Sequence, residues 1–395
     1  MSSDRPAIKI RIPRTVWVLG FVSLLMDISS EMIHALLPLF MAGTLGASAI
    51  WIGLVEGIGE GTALIAKVFS GVVADRFGHK KRLVFAGYFL GVISKPVFVL
   101  AGSMPVVLAA RFFDRIGKGL RGAPRDAIVA DVTDESIRGA AYGLRQSLDA
   151  GAFVGPLLAT LLLLLWTEEL RSIFWIALIP GAACLALILF GVEDNVTPTV
   201  NTKRIAWKDL KLVMTPAFVQ LVILGTLFSL ARFSNAFIVL RAADIGIEHA
   251  WIPMTVVLMN IAFSLSSYPF GKLADKLNPM KLLALGMVLL ALANLLFAYA
   301  ANYRILAAGI VLFGMHLGAT QGIFSTIISE IAPSEVRATA FGIFNFFSGL
   351  ALLASGLVAG SLWEYMGAQY CFGGGVVFAL ITLSLIPRFK QLQPS

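Results

Sequence analysis

Gly71-Val72-Val73-Ala74-Asp75-Arg76-Phe77-Gly78-His79-Lys80-Lys81 stands between two apolar runs, Ile50–Val73 and Leu83–Gly102. A looser copy, Gly271-Lys272-Leu273-Ala274-Asp275-Lys276-Leu277-Asn278-Pro279-Met280-Lys281, recurs about 200 residues later between Trp251–Leu273 and Met280–Ala300. An apolar run of about 20 residues is long enough to cross a bilayer as a helix. Each copy therefore reads as a tight polar turn joining two membrane helices. Its glycine permits close helix contact, its aspartate opposes the positive end of a neighbouring helix, and its cations can pair with acids at helix ends such as Asp131.

Outward from these turns the pattern repeats along the whole chain. Twelve runs qualify: Thr15–Leu39, Ile50–Val73, Leu83–Gly102, Pro105–Ile128, Ala140–Leu164, Ser172–Gly191, Pro216–Leu240, Trp251–Leu273, Met280–Ala300, Ile305–Ile328, Ala338–Trp363 and Tyr370–Ile386. The 395 residues are 58% hydrophobic and only 14% charged, against roughly 25% charged in a soluble domain. The mean hydropathy is +0.86. So much apolar surface needs lipid as its solvent, and without the alternation of a barrel the spans must be helices. The fold class expected is an all-α membrane protein of twelve transmembrane helices in two pseudo-symmetric six-helix bundles. Other pairs keep the same offset: Trp51 with Trp251, and Arg138-Gly-Ala-Ala-Tyr-Gly143 with Arg337-Ala-Thr-Ala-Phe-Gly342. An offset kept throughout marks an internal duplication. It divides the chain into an N-terminal bundle (1–192), a polar linker (193–213) and a C-terminal bundle (214–395).

The net charge of +8 does not point to nucleic acid, because the basic residues sit in short loops between apolar runs. One side carries the basic tail, Arg76 to Arg82, Arg121, Arg125 and Arg138, the linker lysines, Lys272 to Lys281, Arg337, Arg388 and Lys390. The other side has short loops whose exceptions are Arg171 and Arg304. The positive-inside rule then puts both termini and the linker in the cytoplasm, in a cell inner membrane. No small-residue cleavage site follows the first run. Cys184 and Cys371 lie far apart inside apolar runs, so they read as buried hydrophobes. No metal cluster and no cofactor motif is evident. Gly117-Lys118-Gly119-Leu120-Arg121-Gly122 matches a dinucleotide pattern, but no strand surrounds it. The absence of HExxH, GxSxG and a Walker A sequence argues against an enzyme and against nucleotide-driven transport.

The Gly71–Lys81 stretch resembles the signature loop between the second and third helices of the major facilitator superfamily, with its degenerate copy at Gly271–Lys281. The run Arg111 to Asp131 most resembles a widespread prokaryotic branch with poorly defined substrates. Arg111-Phe112-Phe113-Asp114 resembles the family's fourth-helix arginine motif, with Arg115 where glycine is usual. Ser147 to Pro156 resembles the fifth-helix motif of proton-coupled antiporters, without its paired glycines and with Asp149 inserted. The resemblance implies two six-helix bundles that rock about a central site. It also implies a conformational latch at Gly71, Asp75, Arg76, Gly78, Lys80, Asp131 and Asp275.

Ionisable groups at membrane depth are costly, and each is a functional candidate. Asp27, Glu31 and His34 share one face of the first helix by their i, i+4, i+7 spacing. The fourth helix offers Arg111, Asp114, Arg115 and Lys118, the second Glu56, Glu60 and Lys67, and the fifth Arg145 and Asp149. At about 1.5 Å per residue, Asp27 and Glu31 fall within reach of Arg111 and Arg115. Asp27, Glu31 and Asp149 are the candidate proton carriers, since a carboxylate moved between an apolar setting and an arginine changes its proton affinity. Glu56, Glu60, Arg111, Asp114, Arg115 and Arg145 are candidate substrate ligands, joined from the second half by Arg232, Asn235, His316 and Gln321. The same charges also read as ion pairs that only fix packing. His316 reads equally as a packing group, and Arg241 as an arginine reaching toward the interface. Gly53, Gly57, Gly61, Gly356 and Gly360 form small-residue ladders that let the second and eleventh helices approach closely.

The function expected is secondary transport by alternating access: proton-coupled export of a small organic solute. Proton-coupled import of a small solute, such as a metal chelate or an organic anion, is the alternative. The partners implied are that solute, protons and the bilayer, and a monomer suffices.

Overall fold

The computed structural model describes residues 12–77, 80–134, 137–192, 212–274, 277–333 and 336–389, and leaves undescribed the side chains of 71–77, 138, 150 and 338. Among the described residues there is no strand. The elements are α1 (Arg14–Thr44), α2 (Ala49–Phe77), α3 (Lys80–Leu100), α4 (Met104–Val132), α5 (Gly139–Leu165) and α6 (Leu170–Gly191), then α7 (Pro216–Asp244), α8 (His249–Ala274), α9 (Pro279–Ala298), α10 (Tyr303–Ile331), α11 (Thr339–Met366) and α12 (Ala368–Arg388). Eleven are long and apolar enough to cross a membrane. The remaining one, α4, has too many charges by composition, but its geometry resolves the conflict. Arg111, Asp114, Arg115 and Arg121 are buried, whereas Phe112 and Phe113 are exposed on the opposite face. The helix is amphipathic with its polar face inward.

With twelve alternating spans, the start of α1 and the end of α12 fall at one end of the molecule, called proximal here. At the distal end the two halves share one apolar core. It runs from Phe40, Phe98 and Phe174 of the first half to Phe237 and Phe297 of the second, and continues through the second half to Phe218 near its proximal end. A separate cluster, with Leu19, Met26, Tyr88 and Val129, fills the proximal part of the first half alone. The halves thus meet distally and have separate cores proximally.

The α2–α11 seam is as the glycine ladders foretold. A Cβ at Gly53 would stand 2.1 Å from the Gly356 carbonyl oxygen, and one at Gly360 2.5 Å from the Ala49 carbonyl oxygen. Glu364 closes the distal end of the seam by accepting the Ala49 N–H at 2.7 Å. Gly117 and Gly119 of the dinucleotide-like stretch are packing glycines: a Cβ at Gly117 would stand 2.5 Å from the Gly87 carbonyl oxygen, and one at Gly119 2.4 Å from the Ala66 Cβ.

Two basic residues have roles the sequence reading did not assign. Arg171 donates to the carbonyls of Val99 (2.8 Å) and Ala101 (2.9 Å), capping the distal end of α3. Arg241 donates to Phe297 and Ala300 (both 3.0 Å), capping the distal end of α9, and also meets Asp244. Arg241 is therefore tied to protein carbonyls and does not reach out to the interface. The last carbonyls of a helix lack intrahelical partners, and a guanidinium satisfies two at once. Arg241→Ala should then lower stability by about 1–3 kcal/mol by leaving carbonyls unpaired. Exposed Arg304 replaced by alanine should change it by less than about 0.5 kcal/mol. Melting of the two purified variants side by side checks this, and equal melting temperatures would refute the capping role.

Candidate functional site

Two helices of the second half break at mid-length. In α7 the first segment ends at Ala231 and the second begins at Asn235, with Ser234 capping it by accepting the Ala236 N–H at 3.2 Å. In α10 the break falls at Gln321–Gly322, where Gly322 takes φ +81°. Left-handed backbone favours glycine because it has no Cβ to clash. Breaks free backbone polar groups, which are tolerated at membrane depth where they line a cavity. Both breaks do so. They open on a cavity of about 610 Å³ between the two halves.

The cavity wall from the first half is charged: Glu31 and His34 of α1, Glu56 and Glu60 of α2, and Arg111, Arg115 and Lys118 of α4. Among the described residues the wall from the second half carries one charge, Arg232, among amides, hydroxyls and phenylalanines, with Asn235 and Gln321 among them. Glu56 and Glu60 are one turn apart on α2, and Arg111 and Arg115 one turn apart on α4, so the four meet as two rungs. Arg111 donates to Glu56 at 2.8 Å, and Arg115 lies 3.2 Å from Glu60. Gly59 gives Arg111 room, since a Cβ there would be 2.8 Å from its Nε. A second donor to Glu56 comes from the other half: the Ser234 hydroxyl donates to Glu56 Oε2 at 3.1 Å.

This corrects the expected pairing of Asp27 and Glu31 with Arg111 and Arg115. The α1–α4 register places Asp27 3.8 Å from Arg121 and puts His34 between Asp114 (3.5 Å) and Glu31 (3.7 Å). Equal counting from span ends misjudged the register because α4 continues to Val132. For the same reason Arg121 and Arg125 are not loop residues. Arg121 lies over the Tyr88 ring at 4.6 Å, and Arg125 donates to Ser23 at 2.6 Å. Proximal to the cavity they form a second cluster with Asp27, Asp149 and Arg145. Arg145 stands 3.2 Å from Asp149 and 3.4 Å from Asp126, and Arg125 3.9 Å from Asp149. Arg145 therefore belongs to this cluster and not to the cavity wall.

His316 is also absent from the cavity wall. It is fully buried in the second half, with Nδ1 2.8 Å from the Gly286 carbonyl oxygen and Phe228 and Phe313 about its ring. Of the latch residues, Lys80 pairs with Asp131 at 2.5 Å, a contact inside the first half. The side chains of Asp75 and Arg76 are not described, Gly71 lies in α2, and Gly78 and Asp275 lie outside the described residues, as does most of the expected linker. Lys95 went unread in the sequence. It is 1% exposed on α3, donates to Ser30 at 3.1 Å, and has no carboxylate within 4.0 Å among the described residues. A lysine in mid-run beside Pro96 was the available signal. Nothing in the sequence marked Ser234, because only the α7 break brings it to Glu56.

Comparison with known proteins agrees with this architecture. The sequence profile of the Major Facilitator Superfamily matches residues 19–240 and 221–394. An uncharacterized MFS-type transporter of Methanocaldococcus jannaschii is 32% identical over 94% of this chain and 94% of its own. The multidrug resistance protein MdtG of Klebsiella pneumoniae is 24% identical over 92% of each. The crystal structure of the nucleoside transporter NupG superposes with a TM-score of 0.76 at 16% identity, over 96% of this chain and 98% of that one. With a matching profile across its length, a relative at this identity and twelve helices in two halves, the chain belongs to the Major Facilitator Superfamily and is a multi-pass membrane transporter of the secondary type.

Proposed function

We propose that this transporter exports a small organic solute in exchange for protons by alternating access. It acts as a monomer in the inner membrane, with both termini cytoplasmic. The observation that carries the reading is the position of Glu56. It is paired with Arg111 in its own half and accepts the Ser234 hydroxyl from the other, at the wall of the cavity. Parting the halves at the distal end must break the second bond, so the setting of this carboxylate depends on the transport state. Below it, Glu60, Glu31, Asp27 and Asp149 are each partly exposed, with side-chain exposures of 40%, 30%, 25% and 28%. Each lies within 4.0 Å of an arginine or histidine. This line of carboxylates runs from the cavity toward the proximal end and supplies the proton path, with Asp27, Glu31 and Asp149 as its carriers. Export direction is favoured by the fifth-helix stretch Ser147–Pro156 and by the multidrug resistance relative.

The test uses proteoliposomes and a solute found by thermal-shift screening, since a ligand of the folded state raises its stability. Asp27→Asn and Glu31→Gln should abolish pH-gradient-driven transport while leaving counterflow exchange near the wild-type rate. A neutral side chain cannot carry a proton, but exchange needs no net proton movement. Accumulation driven by an opposite gradient would identify import. Normal gradient-driven rates in both variants would remove these residues from the path.

A further inference from the structure

We infer that the cavity takes a small organic anion with a flat apolar body, an aromatic carboxylate being the simplest case, its charge held between Arg232 and Lys118. The inference rests on reading the cavity as the transport site. Four cations face it, Arg111, Arg115, Lys118 and Arg232, against three carboxylates, Glu31, Glu56 and Glu60. Two of the cations are committed to Glu56 and Glu60. Arg232 and Lys118 have no carboxylate oxygen within 4.0 Å among the described residues. They come from opposite halves, so a ligand between them touches both moving bodies. An unpaired charge in a cavity of low dielectric is costly and draws a counter-ion.

The wall of the second half points the same way. Among the described residues it holds no acid, and the Arg232 guanidinium lies 6.0 Å from the Phe228 ring centre, with Phe324 edge-on to Phe228 at 5.0 Å. A guanidinium beside phenylalanine faces suits a carboxylate attached to a flat apolar group. The second segments of α7 (Asn235–Asp244) and α10 (Ile323–Ile331) also begin at the cavity, presenting the positive ends of their dipoles. Three carbonyls in the last turns of the preceding segments have donors: Arg232 N–H to Phe228, Gln321 N–H to Leu317, and the Ser355 hydroxyl to Leu230. A cation would have Glu31, already 3.7 Å from His34, as its one carboxylate not held by an arginine.

The experiment is counterflow exchange and direct binding of benzoate by the full-length protein, beside its neutral and cationic counterparts benzamide and benzylamine. Benzoate should bind and exchange, and benzylamine should not. Arg232→Gln and Lys118→Gln should each weaken benzoate binding about ten- to a hundredfold, and Arg232→Lys should retain most of it. Both positions are at least partly exposed, so melting temperatures should stay near wild type and report folding independently. Exchange of benzylamine or benzamide without benzoate would overturn the inference and leave the transport reading standing. So would undiminished benzoate binding in folded Arg232→Gln. Failure of the wild-type protein to bind or exchange any of the three would overturn the inference, while the transport reading is tested separately with the screened solute.

Discussion

Arg111→Met should destabilise the protein by about 3–5 kcal/mol, because it strands a buried carboxylate. Arg111 is 2% exposed and Glu56 7%. The 2.8 Å contact between them leaves Glu56 only the Ser234 hydroxyl if the guanidinium is removed. Neutralising the partner as well should recover much of the loss, so Arg111→Met with Glu56→Gln should melt above Arg111→Met alone. Arg111→Lys should recover less, since an ammonium has neither the reach nor the fork of a guanidinium. Thermal melting of the wild type, Arg111→Met, Glu56→Gln and the double variant forms a double-mutant cycle, and additive losses would show that the pair is not coupled. The cycle also separates packing from transport. If the double variant melts like the wild type but exchanges no solute, the pair acts on the transported molecule or on the motion of the halves.

The other large effect concerns the seam between the halves. Gly356→Val should abolish transport and leave the distal end open. A Cβ at Gly356 would lie 2.2 Å from the Gly53 carbonyl oxygen and 2.9 Å from the Gly57 Cα. Those are backbone atoms, which cannot swing aside as a side chain can, so α2 and α11 must part. Overpacking a well-fitted contact costs about 1–3 kcal/mol. Applied only to the distally closed state, that shifts its population by about ten- to a hundredfold. A cysteine introduced at Val239, 2% exposed on the distal segment of α7, reports the shift through faster labelling by a membrane-impermeant maleimide. Gly122→Ala is the control, since nothing lies within 4 Å of the added methyl position. Wild-type transport by Gly356→Val would refute the close approach.

Much of the fold was legible because membrane helices announce themselves one at a time. Length and apolarity are local properties, and burial of apolar length in lipid needs no knowledge of neighbours. The α2–α11 seam was legible as well, because glycine at every fourth position has few uses on a spanning helix other than close approach. The candidate site was legible as a set of residues and not as a set of pairs. Glu31, Glu56, Glu60, Arg111, Arg115, Arg232, Asn235 and Gln321 do face one cavity. Arg145, Asp149 and Asp27 form another cluster, and His316 stands apart from both.

The sequence by itself determined the solvent, the number of helices, the duplicated halves and the shared face of the charged residues on α1. The duplication follows from one offset kept along the chain, and the rest from composition and period along one segment. Only the tertiary structure decided which carboxylate meets which cation, for a shift of one helical turn exchanges every partner at a cost the sequence does not display. It alone brought Ser234 to Glu56, by breaking α7 beside α2, and aimed Arg171 and Arg241 at the carbonyl ends of α3 and α9. Contacts between segments depend on how helices cross, and crossing is set by packing over the whole molecule.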